Sequence, residues 1–327
     1  LGLLAGGSQP AFGLQQLRVG GTETGVVKAA GLDERLSLRI GQGACGDDTR
    51  QQFPGNVVPA SRIDTVGRNI IGLYPGTNLP GVANNFLFNP VRSITGDKFD
   101  FKVDRIISDT DVAFVRYSFG DDDLIEPSFL PAPAVSNGPG EPGPADQPVH
   151  QIVASETHIF TPATSNELRA GWTRLNLRAF NPNFGRAVSS EVGVPGANVP
   201  GDDLTSGLSI FSVSGSAALG DNGFSPAVVV SDNLQLSDNF NWIRGRHTIK
   251  FGGELQRRRY NAFQSNVLRG SMSFNGSYTQ NPASRAGTGL GAADLLLGRP
   301  INGQIRFLNG TRGFRRSELG FYVQDVY

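Results

Sequence analysis

The chain has 327 residues, and its 29 basic and 29 acidic side chains give a formal net charge of zero. Balanced charge without a long basic run gives no reason to expect a nucleic-acid partner. A single cysteine, Cys45, excludes an internal disulfide and zinc sites of the Cys₄ or Cys₂His₂ type. Because the sequence contains no run of about 18 apolar residues, membrane-spanning helices are excluded as well.

Residues 1–97 form a loop-rich segment in which one helix is predicted. Residues 1–52 have glycine at short intervals and no sustained period, so no element is predicted there. Further on, Ile63, Val66 and Ile70 follow a helical spacing that a Tyr-Pro-Gly turn closes. We therefore predict a short helix near residues 61–74, held in a structured loop.

From residue 98 to 327 the apolar period changes to two, which predicts β-hairpins. In DFKVDRIISDTDVAFVRYSF (100–119), apolar and charged residues alternate on both sides of an SDTD turn. Phe99, Phe101 and Val103 share one face of the first strand, and Val115 and Tyr117 continue that face after the turn. The opposite face is mixed and largely charged.

The hairpin pattern recurs twice, with short turns at 161–165 and 243–246. Further strands are predicted at 271–279, 301–309 and 315–327. Long segments rich in Gly, Pro and Ser, at 120–150 and 179–231, separate the hairpins. Short turns that alternate with long loops are typical of an outer-membrane barrel, whose turns are periplasmic and whose long loops are extracellular. Loops of this length on one side only are unusual in a soluble sandwich.

The alternation alone leaves open which solvent the apolar face meets. Both a lipid-facing strand and a soluble antiparallel sheet packed on a core alternate in this way. Arg105 is in phase with the apolar face, but it lies close to the turn, where its side chain can snorkel to lipid headgroups. A barrel points the apolar residues outward, whereas a sandwich buries them against a second sheet. The residues that decide between these two are Phe99, Phe101, Val115, Tyr117, Ile249 and Phe251.

No catalytic, cofactor-binding or metal-ligating residue is predicted, and we expect neither enzyme activity nor a cofactor. Three consecutive carboxylates, which lack the spacing of a calcium loop, are interpreted as solvated loop side chains: Asp121, Asp122 and Asp123. The histidines are scattered, and no two have metal-ligand spacing on one element: His150, His158 and His247. No G-x-S-x-G nucleophile elbow is present.

Two further groups of side chains are interpreted structurally. The alternation of a strand splits Arg257, Arg258 and Arg259 between two faces, so we do not predict a basic patch. Trp172 and Trp242 lie on predicted strands near short turns, where we expect them in the periplasmic aromatic girdle of a barrel.

Six segments resemble, in the family's order, the TonB-dependent outer-membrane receptors, in particular the Oar-like group with a carboxypeptidase-regulatory-like N-terminal domain. They cover about 100 residues and do not include residues 1–52. The segments are FPGNVVPASRIDTVGRNIIGLYP (53–75), DFKVDRIISDTDVAFVRYSF (100–119), ETHIFTPATSNELRAGWTR (156–174), DNFNWIRGRHTIKFGGELQRRRYN (238–261), AADLLLGRP (292–300) and LGFYVQDVY (319–327).

This resemblance implies an all-β fold, an antiparallel transmembrane barrel of about 22 strands with long extracellular loops. It further implies uptake of a scarce ligand, such as a siderophore, a cobalamin-like compound or an oligosaccharide, with energy from the TonB complex. No plug or TonB-box region is recognised before residue 53, so we expect a fragment that carries the early barrel strands and lacks the plug.

The resemblance places the protein in the outer membrane as a monomer, with membrane lipid, the TonB complex and the transported ligand as its partners. The alternative that we keep is a soluble or surface-exposed β-sandwich with a binding or adhesion function. The two hypotheses differ in whether lipid or a second sheet covers the apolar face.

Overall fold

A computed structural model describes residues 51–136, 141–264, 266–283, 285–306 and 310–327, together with the backbone of short strands before residue 51. Cys45 lies outside the described residues. The short N-terminal strands are β1 (Leu17–Arg18), β2 (Val26–Ala29), β3 (Arg39–Gly41), β4 (Arg50–Gln52) and β5 (Val58–Pro59). They form two small antiparallel sheets, β1-β2-β5 and β3-β4.

The remaining described strands follow in chain order, interrupted by short helices. The strands are β6 (Ser93–Ile106), β7 (Asp111–Glu126), β8 (Gly143–Asp146), β9 (Val149–Thr161), β10 (Thr164–Ala179), β11 (Ile210–Val213), β12 (Ala227–Arg244), β13 (His247–Gln264), β14 (Ser271–Phe274), β15 (Asn302–Gln304) and β16 (Arg312–Val326). The α-helices are α1 (Thr65–Ile71), α2 (Val188–Glu191) and α3 (Gly291–Leu296). Short 3-10 turns lie at Pro54–Asn56, Ala60–Arg62 and Asp203–Thr205.

Eight of the described strands form one antiparallel sheet, here called the large sheet. Its order is β16-β13-β12-β10, then β8 and β9, then β7-β6. β8 and β9 both pair with β7 and β10, so they act as one strand that is interrupted at Gln147 and Pro148. Proline lacks the amide hydrogen that a continuous ladder needs, which accounts for the break. This all-β antiparallel architecture confirms the predicted fold class.

The large sheet has two chemically different faces. Register pairs Phe99 with Phe119, Phe101 with Tyr117 and Val103 with Val115. The same alternation places Ile249 and Phe251 on that face of β13, which confirms that the six deciding residues share one side. We call it the apolar face, and the other, which carries Lys102, Arg116 and Gln151, the polar face.

The apolar face is uncovered among the described residues. Phe101 is 63% exposed and Phe321 on β16 is 79% exposed. A soluble protein rarely leaves so large a continuous apolar surface open. The sheet is therefore built for an apolar solvent on one side.

The two ends of the large sheet also differ. At one end the strands are joined by tight turns, as at Pro162 and Ala163 and at Gly245 and Arg246. The long connections leave the opposite end. Together with the segment before β6 they make up residues 53–92, 127–136, 180–226, 266–283 and 285–306, which we call the cap.

The cap has its own hydrophobic core. The buried apolar cluster of the described residues lies wholly inside it, and Phe211, Leu208 and Leu219 are almost inaccessible to solvent. β11 pairs in parallel with β14, which pairs with β15, so that a second, small sheet lies in the cap. None of the helices in the described part of the chain is long and apolar enough to cross a membrane.

Several predicted bounds need correction. β6 begins at Ser93 rather than at 98, and the strands predicted at 271–279 and 301–309 are short cap strands rather than members of the large sheet. The helix predicted near 61–74 is α1, which starts after Asp64 because the Asp64 carboxylate caps the Gly67 amide at 2.8 Å. The long connections are shorter than predicted, because β7 continues to Glu126 and β12 begins at Ala227.

Candidate functional site

The cap is joined by contacts between segments that are far apart in sequence. Helix α1 crosses α3 so closely that a Cβ atom on Gly67 would lie 2.1 Å from the Leu295 carbonyl oxygen. The Asp64 amide donates to the Leu296 carbonyl at 2.8 Å. The Tyr74 hydroxyl donates to the Ala217 carbonyl at 2.6 Å. These contacts fix the 53–92 segment to two of the long connections, so the cap is a preformed unit.

A buried polar network sits beside the apolar core of the cap. Asp221 is 0% exposed, and its carboxylate accepts from the Leu208 amide at 2.6 Å and from Asn183 Nδ2 at 3.0 Å. Arg269 is 2% exposed and donates to the carbonyls of Ser225, at 2.9 Å, and of Asn222. Buried polar groups persist when they are hydrogen-bonded, because an unpaired one costs about 1–3 kcal/mol. The network therefore specifies the loop conformation.

Burial perturbs three ionisable groups in the cap. Burial lowers the pKa of Arg269, an effect that nearby Asp221 opposes. Burial raises the pKa of Tyr74 well above its ordinary value. Burial also raises the pKa of Asp294, against hydrogen bonds from Thr279 and from backbone amides, including that of Tyr278. Their hydrogen-bond partners lie within the cap, so these groups contribute to holding its segments together.

The polar face of the large sheet presents side chains that hydrogen-bond across strands. Arg116 contacts Gln151 at 3.4 Å, and Gln151 in turn donates to Thr173 at 3.3 Å. Farther along the sheet, Gln235 donates to Glu254 at 2.9 Å. Such a surface suits water and hydroxyl-rich or charged solutes, which offer the same donors and acceptors.

The three histidines do not converge, since each lies against a different partner. His150 contacts the Tyr117 hydroxyl at 2.8 Å, and His247 contacts Asp325 at 2.7 Å. His158 contacts Asp111 at 2.5 Å.

Three side chains on two neighbouring strands could hold a divalent cation. Asp111, Glu156 and His158 each offer one ligand atom, and these atoms lie within 4.8 Å of one another near the short-turn end. All three are partly exposed. Exposed acidic groups are common without an ion, so this cluster carries no assignment.

The placement of the three consecutive aspartates in a loop is wrong. Asp121, Asp122 and Asp123 lie inside β7, where Asp122 forms an ion pair with Lys98 at 3.2 Å. A strand that continues past the apolar band has water on both faces, so it accepts carboxylates on either side. Polarity alone therefore suggested a loop where the ladder continues.

The girdle position is wrong for one of the two tryptophans. Trp242 lies three residues before Gly245, close to the short turn, as predicted. Trp172 is in the middle of β10, opposite Ile152 and Leu234, within the apolar band. The predicted turn at 161–165 was correct, but β10 runs on past Trp172 to Ala179.

The predicted split of the three arginines between two faces is confirmed, but the arginines of the neighbouring strand were not considered. Arg259 on β13 pairs directly with Arg315 on β16, and both lie on the apolar face, whereas Arg258 pairs with Arg316 on the polar face. Cross-strand register thus gathers arginines that alternation within one strand separates. The signal lay in the two arginine-rich stretches at 257–259 and 312–316.

Comparison with known proteins adds a family assignment. A family model described as "Outer membrane beta barrel domain" matches residues 29–327. A search of curated proteins finds no match, and a search of solved structures finds none either.

Proposed function

Because the chain belongs to the outer membrane beta barrel domain family and is located in the outer membrane, we propose that it forms part of a TonB-dependent receptor for a scarce ligand. One observation supports this proposal most. The large sheet has a hydrogen-bonding polar face and an exposed apolar face, and its long connections fold into a cap with its own core. A passive scaffold needs no buried network such as that of Asp221 and Arg269 at its loop end.

The proposed roles follow from the chemistry of each surface. The cap captures the ligand, because it is preformed and so loses little conformational entropy on binding. The polar face, with Arg116, Gln151, Gln235 and Glu254, lines the passage, and the apolar face meets lipid. The TonB complex is the proposed source of energy. Binding and passage, rather than catalysis, are the proposed chemistry, and siderophores, cobalamin-like compounds and oligosaccharides are the candidate ligands.

The β-sandwich adhesin is less well supported. That fold requires a second sheet packed at about 10 Å on the apolar residues. Within the described residues no sheet covers Phe101 or Phe321, which remain 63% and 79% exposed. Lipid is the covering that agrees with the outer-membrane location.

The first experiment measures uptake in cells that do or do not produce the protein, with and without an uncoupler of the proton gradient. The probes are a radiolabelled ferric siderophore, cobalamin and a fluorescent oligosaccharide. We expect one probe to accumulate only when both the protein and the gradient are present. Accumulation of none of them, or accumulation that ignores the uncoupler, would refute TonB-dependent uptake of these ligand classes.

A second experiment uses two adjacent cysteine variants to locate the passage. Lys102 lies on the polar face and Phe101 on the apolar face of β6. Lys102→Cys should react with an aqueous thiol reagent, and the accumulated probe should slow that reaction. Phe101→Cys should react only with a lipid-phase reagent, and the probe should not affect it. Equal reactivity of the two cysteines would contradict the proposed faces.

A further inference from the structure

Three arginines lie together on the apolar face at the end of the large sheet that carries the cap. Arg257 and Arg259 alternate on β13, and Arg315 lies directly across from Arg259 on β16. We call Arg257, Arg259 and Arg315 the arginine patch. All three are exposed to solvent. Their position on the face that meets lipid is unusual, because a cation in the middle of that face costs about 2–4 kcal/mol.

The length of the apolar band explains where the patch sits. On β12 the band extends over residues 234–242, and on β13 its partners run from Ile249 to Arg257. A tilted membrane strand needs about 9–11 residues to cross the hydrocarbon. Arg257, paired with Leu234, is the last apolar-face residue of this stretch on β13, and Arg259 is the first beyond it. The patch therefore lies at the boundary between hydrocarbon and headgroups.

The loop end fixes which leaflet this boundary belongs to. Long loops of outer-membrane barrels are extracellular, and short turns are periplasmic. The patch lies on the cap side of the band, so it faces the outer leaflet. That leaflet is rich in glycolipids that carry phosphate groups.

The patch has less local neutralisation than the adjacent arginine pair on the polar face. On the polar face, Arg258 and Arg316 lie 3.8 Å and 2.9 Å from the Glu318 carboxylate. On the apolar face, Asp232 lies directly across from Arg259 in the register of β12 and β13, but its ion pair is with Arg174 at 3.5 Å. Among the described residues neither Arg259 nor Arg315 has a carboxylate partner. Like charges directly opposite each other across strands are destabilising, unless an anion lies between them.

The patch still keeps some polar contacts that hold its guanidinium groups in place. Arg257 donates to the Ser317 hydroxyl at 2.6 Å. Arg315 donates to Asn261 Oδ1 and to the Phe314 carbonyl, both at 2.8 Å. These neutral acceptors orient the groups without cancelling their charge, so their remaining N–H donors stay available to phosphate oxygens.

A shallow apolar cavity of about 480 Å³ lies next to the patch on the same strands. Leu255 and Leu319, which line it, form the cross-strand pair nearest to Arg257 and Ser317 on that face. The other apolar side chains of its lining are Leu236, Phe240, Phe251, Phe321 and Val323, and Asp238, Glu254 and Tyr322 line it as well. A headgroup at the patch would therefore place an acyl chain over this cavity.

We propose that the arginine patch and the adjoining cavity bind one phosphate-bearing glycolipid of the outer leaflet. The arginines bind its headgroup phosphates through charge-assisted and bidentate hydrogen bonds. The cavity takes up part of an acyl chain. This site is independent of ligand uptake and rests on the outer-membrane location of the chain.

The test compares two matched double variants of the protein purified from outer membranes in mild detergent. Arg259→Gln with Arg315→Gln removes the pair on the apolar face, and Arg258→Gln with Arg316→Gln removes the adjacent pair on the polar face. Native mass spectrometry then quantifies the retained lipid. We expect the first double variant to lose phosphorylated glycolipid by about tenfold or more, because two charge-assisted contacts are lost. The polar-face double variant should retain it as the wild type does.

Two further measurements keep the test decisive if a double variant folds poorly. Arg259→Lys with Arg315→Lys keeps both charges and should retain most of the glycolipid. In vesicles, the wild type should bind lipid A with its phosphates and not the dephosphorylated lipid. Equal loss in the two glutamine double variants, equal binding of dephosphorylated lipid, or equal retention of zwitterionic phospholipid would overturn the proposal.

Discussion

In the cap, Phe211, Leu208 and Leu219 are almost inaccessible, whereas on the large sheet Phe101 and Phe321 are 63% and 79% exposed. The cap follows the rule of globular proteins, in which apolar side chains leave water by packing on one another. The large sheet reverses that arrangement and turns its aromatic residues outward. One chain thus contains a region with a buried apolar core and a region with an exposed apolar face. The boundary between them is the cap end of the strands.

The difference extends to polar groups. In the cap, Asp221 and Arg269 are buried and hydrogen-bonded to backbone groups. On the large sheet, charged residues lie mainly on the polar face and beyond the apolar band, although Asp238 lies within the band and accepts from Asn166 Nδ2 at 2.7 Å. In the cap, buried polar groups fix the loop conformation. On the large sheet, the position of a polar group depends on whether that part of the surface meets water or lipid. The same type of substitution should therefore change stability differently in the cap and in the large sheet.

The largest effect is expected from a cavity in the cap. Phe211→Ala removes a side chain that is 0% exposed, and such a change costs about 3–5 kcal/mol because the cavity is only partly refilled. Phe321→Ala on the apolar face is the matched control, since lipid refills the space and no cavity remains. Hydrogen exchange should show the cap opening in the first variant alone. A loss of the folded large sheet in Phe211→Ala would show that the two regions do not fold independently.

A charge on the apolar face gives the next largest effect. Leu236→Arg places a cation in the apolar band and should destabilise the sheet in lipid by about 2–4 kcal/mol. Gln235→Arg, one residue away on the polar face, lies beside Glu254, so it should be tolerated. Urea unfolding in lipid vesicles measures the difference. Equal sensitivity at both positions would mean that the apolar face is not the lipid side.

The crossing of α1 and α3 offers a smaller test within the cap. Gly67→Ala places a Cβ atom 2.1 Å from the Leu295 carbonyl oxygen, and since backbone cannot yield easily, we expect a loss of about 1–3 kcal/mol. Gly76 has open space where a Cβ would lie, so Gly76→Ala should be neutral or slightly stabilising. Limited proteolysis of the 53–92 segment reports on both variants. Protection that is unchanged in Gly67→Ala would argue against the close crossing.

The large sheet was predictable because its signal is local. Period-two alternation and short turns fix which residues share a face, and register follows from the turns. The apolar face of β6 and β7 could therefore be predicted from residues 98–119 alone. The full length of β7 could not be predicted, because Asp121, Asp122 and Asp123 lie where both faces meet water and the alternation disappears.

The cap was not predictable, since its contacts join distant segments. Ile70 belongs to the same core as Val192 and Leu295, and no local pattern links residues that lie so far apart in the chain. The arginine patch falls between these cases. The two arginine-rich stretches at 257–259 and 312–316 meet because β16 pairs with β13. A long connection separates these two strands, so no single predicted hairpin contains both.

Protonation of Asp294 gives the subtlest contrast between the two regions. Asp294 is 0% exposed, its Oδ2 atom accepts from the Tyr278 amide at 3.3 Å, and burial raises its pKa. A raised pKa means that the folded cap binds a proton more readily than the unfolded chain does, so the protonated side chain is the better tolerated one. The stabilisation of the cap by protonated Asp294 is therefore fully present below the ordinary pKa of an aspartate, near 3.9. It is lost as the pH rises through the raised pKa.

Asp294→Asn removes this titration while keeping one acceptor oxygen. We expect the variant to lose the part of the pH dependence that lies between the ordinary and the raised pKa, and to be no less stable than the wild type at neutral pH. Hydrogen exchange of the segment around α3, corrected for the intrinsic pH dependence of exchange, measures it. The large sheet should show no corresponding change, because Asp294 lies inside the cap. A wild type whose cap becomes more stable as the pH rises through this window would contradict the burial argument, since that result requires a lowered pKa.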